Sequence, residues 1–183
     1  ANAALALGQY KYANNPSYVQ TIDNSNEIVD RDIIYWKGLN ISGTPQTAAT
    51  LGLTYYSPWY ANFGINANYF GRNFVSMAPL VRTDRGRSAL PERYILPEKL
   101  QDGFTVDVFA SYSWRLNYNT YLRFNLSVSN LLNNKRLPNS GYEQLRIRTL
   151  RDDNGVQQLH QPFDSKISYV YGTTFFFNTS LQF

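Results

Sequence analysis

The sequence predicts an all-β chain: about six antiparallel strands forming a segment of a transmembrane β-barrel. Three observations lead there. Segments of roughly ten residues alternate apolar and polar side chains, as strands do when each face meets a different medium. Short and long connections take turns between them. Aromatic residues gather around the short connections. Composition agrees: 15 Tyr, 11 Phe and 3 Trp make a chain rich in strand formers, and there is one Met.

The strands are expected at residues 1–12, 47–57, 60–71, 103–116, 120–131 and 169–183. The first is the weakest, with Ala3, Leu5 and Leu7 set against Asn2, Ala4 and Gly8. In the second, Leu51, Leu53 and Tyr55 oppose Thr50, Gly52 and Thr54. In the third, Phe63, Ile65, Ala67 and Tyr69 oppose Asn62, Gly64, Asn66 and Asn68. The fourth sets Val106, Val108, Ala110, Tyr112 and Trp114 against Asp107, Phe109, Ser111, Ser113 and Arg115. The fifth sets Leu122, Phe124, Leu126 and Val128 against Arg123, Asn125, Ser127 and Ser129. The last, YVYGTTFFFNTSLQF (Tyr169–Phe183), keeps one largely aromatic face. Ten residues tilted by about 45° cross about 23 Å, close to the apolar band of an outer-membrane barrel.

Residues 57–60 and 117–120 form short links, whereas 13–46, 71–103 and 132–168 are long. Counting back from a final descending strand puts all long links on the outer side and the C-terminus on the periplasmic side. Trp59, Tyr60, Trp114, Tyr118, Tyr121 and the terminal Phe183 are the expected girdle at the membrane–water interface. A soluble β-sandwich would also alternate. Its strands are usually shorter, and its outer faces carry more Lys and Glu than the Asn, Ser, Thr and Gly seen here.

The chain holds no cysteine, so it offers no thiolate nucleophile, disulfide or thiolate metal site. The net charge is +4 with scattered Arg and Lys, short of a nucleic-acid footprint, and none is expected as a partner. No apolar run is long enough for a transmembrane helix, and no signal peptide opens the chain. No phosphate loop, dinucleotide fingerprint or zincin motif occurs. His160 is the one histidine and has no companion ligands for a metal. Asp152 and Asp153 are adjacent, wrong for a carboxylate dyad on a strand. Neither an enzyme nor a cofactor or metal site is expected.

SVSNLLNNKRLPNSGYEQLR (Ser127–Arg146), followed by YVYGTTFFFNTSLQF, resembles the C-terminal end of TonB-dependent outer-membrane receptors, most closely the subgroup with a carboxypeptidase-regulatory-like domain. GTPQTAATLGLTYYSPWYANFGINANYFGRNFV (Gly43–Val75) is similar to the preceding strand pair of that group. The resemblance implies a barrel of about 22 strands with an N-terminal plug, neither of which this chain contains in full. It implies that residues 1–183 are the last quarter or so of a receptor. It further implies TonB-dependent uptake of a scarce nutrient (a siderophore, a glycan or a peptide) across the bacterial outer membrane. The partners so implied are the remaining barrel and plug, the TonB complex, lipopolysaccharide and outer-membrane lipid, and a surface lipoprotein. A passive porin or adhesin barrel, and a soluble β-sandwich binding module, are the alternatives.

Two outer loops carry the candidate ligand contacts. VRTDRGRSALPER (Val81–Arg93) offers Arg82, Arg85, Arg87 and Arg93 against Asp84 and Glu92. It could hold lipopolysaccharide or an acidic ligand through bidentate Arg bonds, or be a solvated loop with local ion pairs. The second loop, Asn139–Gly155, offers Tyr142, Glu143 and Arg146. It could contact ligand, or be a hairpin continuing strand 120–131, turning at Asp153-Asn154-Gly155.

Overall fold

The computed structural model describes residues 1–21, 27–90, 92–144, 146–151 and 157–183, and their side chains except at 18–21, 29, 89, 93, 147–151 and 157–161. Twelve strands are described. They are β1 (Asn2–Leu7), β2 (Ser17–Thr21), β3 (Ile28–Ile33), β4 (Thr47–Tyr56), β5 (Ala61–Gly71) and β6 (Gly103–Arg115). There follow β7 (Tyr121–Ser129), β8 (Pro138–Tyr142), β9 (Ile147–Arg151), β10 (Gln157–Pro162), β11 (Lys166–Tyr169) and β12 (Thr174–Gln182). One short α-helix, α1 (Asp84–Ala89), lies between β5 and β6, with 3-10 turns at Pro79–Arg82 and Glu92–Tyr94 on either side.

Six strands form one antiparallel sheet in the order β1-β4-β5-β6-β7-β12. It is a meander in which each expected strand pairs with its expected neighbour. The sheet is open, with β1 and β12 at its edges, and is not closed into a barrel. Four of the six strands keep their expected bounds to within about two residues.

The first and last do not. After β1 the chain turns away, and Tyr12 and Ile41 exchange backbone hydrogen bonds with Leu39 and Tyr10. The expected strand 1–12 thus stops at Leu7, and residues 10–12 pair inside the first long loop. The expected strand 169–183 begins only at Thr174, as β12, and Tyr169 instead ends β11, which pairs with β8. The late start has a cause in the Asn-rich turn after β7, where Asn130 and Asn133 have φ of 52° and 53°. Asn tolerates this left-handed region better than most residues. Buried Asn130 donates to Tyr171 O at 2.8 Å, and Thr173 Oγ1 donates back to Asn130 O at 2.9 Å. Ladder pairing is interrupted there and resumes at Thr174↔Ser129.

Register converts the sequence alternation into two opposed surfaces. One row across the sheet reads Leu53, Ile65, Val108, Val128, Phe175, and the next reads Tyr55, Phe63, Ala110, Leu126, Phe177. A third reads Leu5, Ala49, Tyr69, Phe104. The opposite face carries the row Tyr56, Asn62, Ser111, Asn125, Asn178. Its amides bond across strands: Thr50 Oγ1 donates to Asn68 Oδ1 at 2.9 Å, and Asn68 Nδ2 to Asp107 Oδ2 at 2.8 Å. Gly64 lies on this face because the Phe109 ring covers it; an added Cβ would sit 2.1 Å from that ring.

Among the described residues the buried apolar side chains lie off the sheet's apolar face, except Ala61 at the start of β5. Ile34, Val75, Ala78, Val81, Leu90, Leu100 and Leu137 all belong to the long connections. These three connections pack on one another at one end of the sheet and form its core. The apolar face itself is bare: Leu53 is 55% exposed, Phe177 58% and Phe175 80%.

Candidate functional site

The two ends of the sheet are chemically distinct, and each gathers one set of the expected residues. At the short-turn end, residues 57–60 close by Ser57 N–H donating to Ala61 O at 2.8 Å. The Ser57 hydroxyl accepts from Trp59 N at 3.2 Å, and Tyr60 takes a φ of 62°. Ser113 N donates to Tyr60 O at 3.0 Å, so this turn lies beside Trp114. In the second turn Leu116 N donates to Thr120 O at 2.9 Å. The Arg115 guanidinium holds the turn by donating to Asn117 O at 3.2 Å and Tyr118 O at 3.1 Å. It also lies over the Tyr118 and Tyr121 rings, at 5.5 and 5.9 Å. Gln182 pairs with Tyr121, which brings Phe183 to the same end. All six girdle candidates therefore collect there, and Trp59, Tyr60, Trp114, Tyr118 and Phe183 are exposed.

The loop end is held by polar clasps. Arg82 is wholly buried. Its guanidinium grips both Glu143 carboxylate oxygens, through Nη1 to Oε2 and through Nη2 to Oε1, the latter at 2.6 Å. It also donates to Ile95 O at 3.0 Å and Ala78 O at 3.3 Å. Glu143 accepts a further bond from Ala78 N at 2.9 Å. Backbone pairing frames the clasp: Ser76 N donates to Gly141 O at 2.8 Å, and Glu143 N to Ser76 O at 2.9 Å. The connection between β5 and β6 is thereby fastened to the one after β7. Expected ligand contacts are corrected here: Arg82 is neither solvated nor open to an acidic ligand, because Glu143 already fills its bidentate face.

The other candidates stand apart from that clasp. Arg85 is exposed and 4.0 Å from Asp30. Arg87 lies 4.5 Å above the Tyr35 ring. The Asp84 carboxylate facing the Tyr35 hydroxyl raises its pKa above the usual tyrosine value, with desolvation adding to the effect. This joins the first long connection to the second. Tyr142 is exposed on β8, beside Ser76. Arg146 stacks on the Phe163 ring at 4.8 Å and donates to Gln144 Oε1 at 2.9 Å. The second loop forms antiparallel pairs, β8 with β11 and β9 with β10, but as separate two-stranded sheets and not as a continuation of strand 120–131, which ends at Ser129. The side chains of Arg93 and His160, and residues Asp152–Gly155, lie outside the described residues.

Sequence reasoning missed Asn130 and Asp102. Asp102 accepts from Lys99 Nζ at 2.8 Å and from Arg72 N at 2.9 Å. The lysine, first among its partners, and the Arg72 amide hold its carboxyl below the usual value, against the opposing effect of burial. A positive φ at Arg72 aims that amide at Asp102. Asn130 could have been found from the repeated Asn in NLLNN; nothing local marks Asp102.

Between the second and third connections lies a cavity of about 450 Å³. Leu96, Pro97, Phe163 and Ile167 give it apolar walls, and Glu98 and Asp164 also line it. Among the described residues no group of three or more His, Asp or Glu could hold a metal. Nor is any helix among them long and apolar enough to cross a membrane. Comparison with family models, with curated proteins and with solved structures finds no match for this chain.

Proposed function

We propose that the six-stranded sheet is part of the wall of a transmembrane β-barrel in the bacterial outer membrane, within a receptor for TonB-dependent uptake of a scarce nutrient. The single observation that carries this reading is the bare apolar face. A soluble sheet covers such a face with a second layer, and exposed apolar areas larger than a few hundred Å² mark contact surfaces. Here Leu53, Ile65, Leu126, Phe175 and Phe177 are exposed together on one face, while the other carries mostly amides and hydroxyls, with Phe109 and Phe176 among them. In lipid that asymmetry needs no second layer: the apolar face meets acyl chains and the polar face a hydrated lumen.

The aromatic cluster at the short-turn end fits the periplasmic interface, with Phe183 in the same belt. The clasped long connections then lie on the outer side, where lipopolysaccharide, a surface lipoprotein and the nutrient would be met. The open edges at β1 and β12 would be paired by the remaining barrel strands, since lipid does not tolerate unpaired edges. Opening by the TonB complex would act on a plug held inside the complete barrel.

The absence of cysteine makes the test direct. Single cysteines replacing Leu53 and Leu126 should resist a water-soluble maleimide in outer membranes, and those replacing Asn66 and Asn125 should react. Equal labelling of both faces sinks the membrane reading. Nutrient uptake that persists when TonB is removed would leave a passive barrel instead.

A further inference from the structure

We infer that the cavity between the second and third long connections binds an organic ammonium ion carried on an apolar or aromatic body. At about 450 Å³ it falls within the size range of small-molecule sites. Its walls, from Leu96, Pro97, Phe163 and Ile167, suit a hydrocarbon or ring.

The polar groups decide the charge of the guest. Glu143 contributes a carboxylate to the lining, but Arg82 neutralises it from the buried side. The Gln144 amide is engaged at both ends: it donates to Asp164 O at 2.7 Å and accepts from Arg146. Arg146 is drawn onto the Phe163 ring. Two carboxylates are left. Among the described residues the Glu98 carboxylate takes one neutral bond, from the Ser165 hydroxyl at 2.6 Å. Neither Glu98 nor Asp164 has an ion pair among the described residues. They come from different connections, so a cation between them would complete a contact that the fold leaves open. Charge complementarity thus selects an ammonium over a carboxylate or phosphate. Glu143, fixed from behind by Arg82, lines one side of the cavity and keeps it preformed. This inference stands on the cavity and does not require the sheet to lie in a membrane.

Phenylethylamine, phenylethanol and phenylpropionate serve as probes of one shape and three charges. Calorimetric titration of the chain, in whichever medium keeps it monodisperse, should give the amine a Kd near or below about a millimolar. The amine should be preferred over the alcohol by about tenfold, as two partly exposed carboxylates permit. The Glu98→Gln/Asp164→Asn variant should erase that preference. Absence of binding, equal affinity for the alcohol, or tighter binding of phenylpropionate would each overturn the proposal. So would a preference that survives in the double variant. A salt titration of the unaltered chain covers the case in which the variant does not fold. The amine preference should collapse toward unity in about 1 M salt, and persistence there also overturns the assignment.

Discussion

Removing the Glu143 carboxylate should loosen the loop layer more than any exposed substitution. In Glu143→Ala the guanidinium of Arg82 keeps its backbone carbonyl partners but loses its counter-charge. The Ala78 amide loses its acceptor as well. Breaking a buried ion pair from one side costs about 3–5 kcal/mol. The Glu143 side chain is 15% exposed, so water can partly refill its place, and the lower end of about 3 kcal/mol is expected. The loss falls on the connections rather than on the sheet, because the clasp joins only those. It should therefore appear as local opening. Amide hydrogen exchange reads it directly: about 3 kcal/mol corresponds to exchange roughly 100-fold faster or more at Ser76, Ala78 and Glu143. Sheet amides in β5 and β6 should hardly change. The Arg82→Met/Glu143→Leu double variant should recover at least half the protection, since an apolar pair removes both desolvated charges. A change below about threefold at those amides in Glu143→Ala would refute the view that this pair holds the layer together.

Three further outcomes follow from named contacts. Leu126→Arg, on the apolar face, should cost about 2–4 kcal/mol in urea unfolding from lipid vesicles if that face lies near the bilayer midplane; a neutral result means it is not in lipid. Gly64→Val should displace the Phe109 ring and destabilise the sheet by about 1–3 kcal/mol. Adding Phe109→Ala should then cost little more, and simple additivity in denaturant midpoints would show that the ring does not rest on Gly64. Asp102 has a folded pKa below its ordinary 3.8, so its contribution is complete above that value and fades as pH falls through the lower folded one. Asp102→Asn should abolish that acid-limb loss of protection at Arg72 N–H, and an unchanged acid limb would place the titration elsewhere.

The sheet was legible because its information is local. Alternation in 47–57, 60–71, 103–116 and 120–131 fixes which residues share a face, and short Pro- and Asn-bearing turns fix neighbours. The gathering of aromatic residues at the short-turn end was legible for the same reason, since turn residues stay near their strands. The loop layer was not. Arg82 and Glu143 are 61 residues apart, and a sequence with many Arg gives no sign of which one is buried. Asn130 and Tyr171 are 41 apart, and their bond interrupts a ladder that the alternation in 169–183 suggests should run on. A polar side chain spent on backbone groups leaves no periodic trace, which is why the strand breaks and the clasp were missed together.

These two kinds of stabilisation also divide the molecule's needs. The loop layer has its own buried residues and a satisfied buried charge, so it can hold its shape without more chain. The sheet cannot. Strands β1 and β12 each bond on one side only, leaving alternate backbone groups along both edges without ladder partners. Water can satisfy such groups, but the apolar face is unfavourable in water, and lipid reverses both terms. No single solvent suits this open sheet. Either further strands close its edges in a bilayer, or a second layer covers its face in water. The aromatic cluster fits the first, the arrangement proposed above, because exposed Trp59, Tyr60 and Tyr118 gather at one end of the sheet, as a membrane interface would require. A covering layer would give the aromatic residues no reason to collect at one end of the strands.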